Sequence, residues 1–291
     1  MTKHTYYIVD VFAKNKYAGN QLAVFRRASD ISSEEMQAIA REINYSETTF
    51  ILSDEQNKGG FDVRIFTPKE EVPFAGHPTL GTAAIIHRNI LHGNSDSVML
   101  NLKVGQIPVT FSGDGYCWMK QIQPVFGQQH RAEHLASIVG LDVSEIDERF
   151  PVQEVSTGVH FFILPLKSIA ALKKAKVNKD KYFDLIKDTA AKGVLVFCPE
   201  THEPQNQISG RVFADYYGVP EDPATGSANG CLAGYLVKYR YFGKEAIDVR
   251  AEQGYEIGRP SLLLLKAEQS GANINISVGG KCFIVAQGEF L

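Results

Sequence analysis

The sequence contains the stretch His77-Pro78-Thr79-Leu80-Gly81-Thr82-Ala83, and a variant of it returns as Asp222-Pro223-Ala224-Thr225-Gly226-Ser227-Ala228. Upstream of the copies stand Arg64-Ile65-Phe66 and Arg211-Val212-Phe213, spaced by about half of the 291-residue chain. One folding unit used twice explains both spacings. Each stretch reads as a helix start, because proline at the first helical position has no N–H to leave unpaired. On this reading Asp222 is an N-cap and His77 occupies the matching position. The residues that follow, Thr79 to Ile86 and Ala224 to Gly234, are small or apolar on every side, which marks a buried helix. The expected fold is therefore α+β: two pseudo-repeated domains, each a mixed sheet or barrel wrapped around a central buried helix. Residues 1–122 and 123–291 are the expected domains, with the last strands free to return to the first.

Outward from the repeat, Ser32 and Glu35 form a capping-box pattern ahead of the helical spacing Met36, Ile39, Ala40 and Ile43. Strand-like runs surround it at Thr5 to Phe12, Gln21 to Arg26, Glu47 to Leu52 and Phe61 to Phe66. Gln123 to Gln129, with its Pro and Gly, reads as the linker. Helices are expected at Arg131 to Val139 and Lys181 to Ala191, and strands dominate the tail.

Net charge is −3, which argues against a nucleic-acid surface. No signal-peptide core, transit pattern or membrane-spanning run is present, so a soluble, cytoplasmic protein is expected. The four cysteines are scattered and read as buried free thiols. His130 and His134 lie i,i+4, but no third ligand accompanies them, and no metal is expected. With no P-loop, GxGxxG after a strand or GxSxG elbow, no cofactor is expected either.

Two helix N-termini facing one another across a cleft would suit a carboxylate, through free N–H groups and positive dipole ends. The substrate-binding residues would be Gly76, Pro78, Thr79, Gly226 and Ser227. His77 and Asp222 then read as a facing pair; equally, Asp222 reads as a cap alone and His77 as a satisfied buried histidine. Glu47 opens an apolar strand, where desolvation favours proton transfer, although a solvated strand-end glutamate has the same sequence.

These residues resemble one known family. Val9-Asp10-Val11-Phe12, Gly19-Asn20, Ser46-Glu47-Thr48, Arg64-Ile65-Phe66-Thr67-Pro68, Pro73-Phe74-Ala75-Gly76-His77-Pro78 and Glu221-Asp222-Pro223-Ala224-Thr225-Gly226 look like the PhzF-like isomerases of phenazine biosynthesis. Gly254 and Gly258-Arg259-Pro260-Ser261 continue the resemblance to the end. It implies the diaminopimelate epimerase fold. It also implies Glu47 as acid/base, with His77, Asp222 and Ser227 holding and helping to protonate the substrate. The epimerases' two thiols fall here at or beside Ala75 and at Asp222, so a two-thiol racemase is excluded. The implied reaction moves a proton and a double bond in a small carboxylate without a cofactor, in a homodimer. A metabolite-binding scaffold, or a lyase or epimerase on a related carboxylate, remains the alternative. Gln21 departs from the family's Gly-Asn-Pro.

Overall fold

A computed structural model describes residues 3–291. The chain forms two compact units, one running to Met119 and taking in Gly279–Leu291, the other spanning Lys120–Val278.

In the first unit, β1 (His4–Val11) pairs antiparallel with β2 (Asn20–Arg26), and β2 runs parallel to β3 (Thr48–Ile51). A parallel pair needs a crossover, and α1 (Ser33–Ile43) supplies it. The capping pattern forms as expected: Ser32 Oγ accepts from the Glu35 amide, and Asn44 ends the helix in the left-handed region. The apolar face of α1 carries Met36, Ile39 and Ala40 into a cluster with Phe25, Phe50 and Phe66. β4 (Phe61–Phe66) is antiparallel to β3 and carries the short β5 (Glu71–Val72) at its edge. The second crossover is the buried helix α2 (Gly76–Ile85), which leads to β6 (Ser97–Leu102), parallel to β4. β7 (Gly105–Phe111) and β8 (Cys117–Lys120) complete a meander. The strand Cys282–Phe290 closes the unit against β1.

The sheet wraps α2, which packs on β1, β2, β3, β6 and β7. Small side chains make this possible. A Cβ at Gly81 would lie 2.6 Å from Leu22 Cδ2 and 2.8 Å from Val11 Cγ2.

The second unit repeats the plan. β9 (Val125–His130), β10 (Val152–Ser156) and β11 (His160–Pro165) are antiparallel neighbours, and α3 (Ala132–Ile138) links the first two. α4 (Ile169–Lys174) and α5 (Lys179–Leu185) cross to β12 (Gly193–Cys198), parallel to β11. β13 (Ile208–Ala214) is antiparallel to β12 and carries β14 (Val219–Asp222). The buried α6 (Gly226–Lys238) then crosses to β15 (Ala246–Gln253), parallel to β13, and β16 (Ser261–Ser270) and β17 (Asn273–Gly280) follow. α6 packs on β10, β11, β15 and β16. The segment read as a linker is mostly strand, because β9 pairs with β10 from Val125 on. The helix expected over Lys181 to Ala191 ends at Leu185, where Thr189 Oγ1 donates to the carbonyls of Leu185 and Ala191.

The register of the repeat differs from the one expected. Helix α2 is capped by Ala75 and begins at Gly76, so His77 and Pro78 lie inside its first turn. Helix α6 is capped by Thr225 and begins at Gly226; Asp222 is the last residue of β14, not an N-cap. The copies therefore align as Glu71-Val72-Pro73-Phe74-Ala75-Gly76-His77 on Glu221-Asp222-Pro223-Ala224-Thr225-Gly226-Ser227. His77 corresponds to Ser227, and Asp222 to Val72. The position matching Ala75 is Thr225, and neither is a thiol.

Hydrogen bonds confirm this alignment. Arg64 grips Glu71 with two bonds of 2.8 Å, and Arg211 grips Glu221 with bonds of 2.9 and 2.7 Å. Inside the helices, Thr79 Oγ1 donates to Ala75 O at 2.7 Å and Asn229 Nδ2 to Thr225 O at 3.1 Å, one turn back in each case.

Candidate active site

Glu47 lies between α1 and β3, with its side chain 19% exposed and its Oε2 shielded from solvent. Directly before the fully buried Thr48 and Thr49, it is fixed by the start of the strand. The first turn of α2 brings His77 Nε2 to 3.6 Å from Glu47 Oε2 and 3.3 Å from Gln21 O. A carbonyl only accepts, so Nε2 carries the proton and Nδ1 keeps its lone pair. At 3.6 Å the two side chains lie within ion-pair distance, but burial pushes the imidazole down to about 3, against a smaller upward pull from Gln21 O. At neutral pH the pair is thus an uncharged N–H donor beside a carboxyl group.

That depressed value makes His77 an acid-sensitive element. Below its ordinary 6.5 the unfolded chain binds a proton that the folded chain refuses until about 3. The stability held by neutral His77 is whole above pH 6.5 and is lost as pH falls towards 3, at about 1.4 kcal/mol per pH unit. Wild type should therefore lose about 2 kcal/mol more than His77→Gln between pH 7 and pH 5. Urea unfolding at the two pH values checks this; equal losses would refute it.

Both central helices start without a side-chain cap, whereas α1, α4 and α5 are capped by Ser32, Ser168 and Asn178. In α2 the Thr79 amide bonds to Ala75 O and Pro78 has none, so the amides of Gly76 and His77 are its open donors. Thr79 is buried and spends its hydroxyl on Ala75 O, so it offers nothing to a ligand. In α6 the open amides are those of Gly226, Ser227 and Ala228, since the Asn229 amide bonds to Thr225 O. Ser227 is half-buried.

Asp222 is held by a network that the sequence reading missed. Thr225 Oγ1 donates to Asp222 Oδ2 at 2.5 Å, and Gln253 Nε2 donates to Thr225 Oγ1 at 3.1 Å and to Asp222 O at 2.7 Å. Gln253 Oε1 accepts from the Thr225 amide at 3.2 Å and from Asn229 Nδ2 at 2.9 Å. Gln253 Nε2 spends both its hydrogens and Thr225 Oγ1 its one, so the carboxyl is aimed by a buried chain running from Gln253 through Thr225. Gly254 makes room for it: its φ is 78°, and a Cβ there would lie 2.6 Å from Pro223 O. Asn229 was legible in principle, since the corrected register places it opposite Thr79.

The structure joins Glu47, Gly76, His77 and Pro78 in the first unit, and Asp222, Gly226 and Ser227 in the second. His130 instead bonds to Glu154 Oε1 at 2.8 Å, and no group of three or more metal-binding side chains occurs among the described residues.

The family model for phenazine biosynthesis-like proteins (PhzC-PhzF) matches residues 9–288. The chain belongs to that family. A trans-2,3-dihydro-3-hydroxyanthranilate isomerase of Pseudomonas aeruginosa is 35% identical over 293 residues, covering 98% of this chain and 99% of the relative. A PhzF-family protein of Bacillus anthracis superposes with a TM-score of 0.91 at 27% identity, over the full length of both chains. A hydroxyproline epimerase of Agrobacterium vitis, 9% identical with a TM-score of 0.65, shares the fold over 100% of this chain and 91% of its own. This PhzF-family member is an isomerase with an epimerase-like α+β fold. No helix among the described residues is long and apolar enough to cross a membrane.

Proposed function

We propose that the protein isomerises a small carboxylate without a cofactor, Glu47 taking a proton from one carbon and returning it to another as a double bond migrates. The observation that carries this reading is the Glu47–His77 pair at 3.6 Å, a carboxyl group beside a neutral N–H donor at an uncapped helix start. A base that both accepts and returns a proton must be ionised at the start and regenerated at the end. His77 and Asp222 assist protonation, and the amides of Gly76, Gly226 and Ser227 hold the substrate carboxylate. Pro78 contributes shape alone, having no N–H. On this reading residues of both units act on one substrate molecule.

The first compound to test is trans-2,3-dihydro-3-hydroxyanthranilate, the substrate in the name of the Pseudomonas aeruginosa relative. Product formation followed by mass spectrometry, with no cofactor added, supports the proposal. Inactivity on it and on a panel of unsaturated cyclic carboxylates contradicts it, and loss of mass from the product identifies a lyase instead. A cytoplasmic homodimer is the expected assembly, which sedimentation velocity checks.

The Gln253–Thr225 chain adds a prediction. Thr225→Val removes the donor to Asp222 while keeping the side chain's shape, and should lower kcat about 10- to 100-fold, with KM changing less. Thr225→Ser should restore most of it. An equal fall in Val and Ser variants would mean that the methyl group, not the hydroxyl, matters.

A further inference from the structure

The two copies differ at the far ends of their central helices. α6 stays α-helical from Gly226 to Lys238, whereas α2 gives way after Ile85 to a π-helical turn, Ile86–Ile90, closed by the Leu91 amide on Ile86 O at 2.9 Å. The duplicate lacks this turn, so the fold does not require it; such turns recur where side chains are re-aimed at functional places. Here the turn carries His87 and Arg88. The His87 ring lies flat against Phe111, with centroids 4.0 Å apart and planes 15° from parallel. His92, just beyond, has φ 52°, in the left-handed region that favours glycine.

These residues line a cavity of about 690 Å³, together with Ser112, Lys281, Phe283 and the thiols of Cys117 and Cys282. That volume lies within the range of small-molecule sites. Arg88 and Lys281 give the lining two cations, the imidazoles add donors, and no carboxylate lines it. Arg88 is exposed, with no ion pair among the described residues. The Lys281 ammonium lies 4.7 Å from the centre of the Tyr116 ring. The acid it feels, Asp114, is engaged by Ser112 Oγ at 2.5 Å. Cations near a helix C-terminus complement its dipole, which accounts for Arg88 alone. It accounts neither for Lys281, which comes from the last strand's approach, nor for the π turn.

We propose that this cavity is a second small-molecule site for an anion, a carboxylate or phosphate borne on a flat apolar body. Arg88 and Lys281 take the anionic group, and the His87–Phe111 stack with Phe283 forms the apolar wall. The site is separate from the Glu47–His77 pair: ten residues of helix, about 15 Å of rise, lie between His77 and His87.

Calorimetric titration of the full chain with inorganic phosphate and with benzoate tests the proposal. At least one probe should bind saturably, Arg88→Glu and Lys281→Glu should each weaken it tenfold or more, and Glu47→Gln should bind as wild type does. No saturable binding, undiminished binding by Arg88→Glu, or binding lost in Glu47→Gln would overturn it. If the charge reversals do not fold, alkylation of Cys282 in wild type decides. The bound probe should slow reaction with iodoacetamide at least threefold, and an unchanged rate would overturn the proposal.

Discussion

Glu47→Gln should lower kcat/KM by about a thousandfold or more, at the upper range for a positioned acid/base group, with the thermal midpoint nearly unchanged. Glutamine matches glutamate in size, so the packing around Thr48, Thr49 and His77 survives. It cannot take a proton from carbon. Steady-state kinetics on whichever carboxylate the enzyme turns over, with circular dichroism to confirm folding, measures the effect. A variant within tenfold of wild type would remove Glu47 from the chemistry.

The largest stability effect should come from Arg211→Ala, about 3–5 kcal/mol, because it leaves a buried charge without its partner. Arg211 and Glu221 are only 9% and 12% exposed, and besides Glu221 the guanidinium serves the helix end of α4. Its Nη1 donates to Leu172 O at 2.9 Å, which otherwise has only the Ala175 amide at 3.3 Å, and to Ala175 O at 2.7 Å, beyond the helix's last turn. Removing Arg211 strands Glu221 and those carbonyls together. The matching change in the first copy, Arg64→Ala, should cost less, about 1–2 kcal/mol, because Arg64 is 25% exposed and Lys103 also binds Glu71 at 2.6 Å. The two bases hold the Glu71 carboxyl down to about 2, with the Arg64 hydrogen bonds the larger cause. Urea unfolding of the two variants side by side tests the ranking, and a larger loss for Arg64→Ala would reverse the account of the repeat.

The plan of the fold was legible because duplication leaves a mark that needs no geometry. Two all-round apolar segments behind two prolines announce two buried helices, and Arg-x-Phe ahead of each announces the strand before it. The register was misread for a specific reason. Aligning Gly81-Thr82-Ala83 with Gly226-Ser227-Ala228 maximises local identity, but Pro78 lies inside a helix while Pro223 precedes a cap, and proline is compatible with both places. The Arg–Glu pairs fix the true alignment, and they lie seven residues apart in one copy and ten in the other. The second copy spends the difference on the 3-10 turn Asp215–Tyr217, an insertion that spacing alone conceals.

The same distinction separates the site residues. Glu47 and His77 were found as residue types suited to proton transfer, and their proximity rests on where β3 and α2 begin. Gln253 and Thr225 were invisible as functional residues because amides and hydroxyls acquire a direction only when a donor and an acceptor are placed. Cys117 and Cys282, read as scattered free thiols, are neighbours, and Cys117 together with burial pushes the Cys282 thiol up. Sequence spacing carries no trace of a pairing between one meander and the terminal strand.

The central claim is that Glu47 moves a proton to and from carbon. Incubating wild type and Glu47→Gln in heavy water with the substrate, and following deuterium in product and recovered substrate by mass spectrometry, tests it most directly. The account predicts that wild type introduces deuterium at carbon and that Glu47→Gln does so at least a thousandfold more slowly. Deuterium entering at the wild-type rate in Glu47→Gln would contradict it.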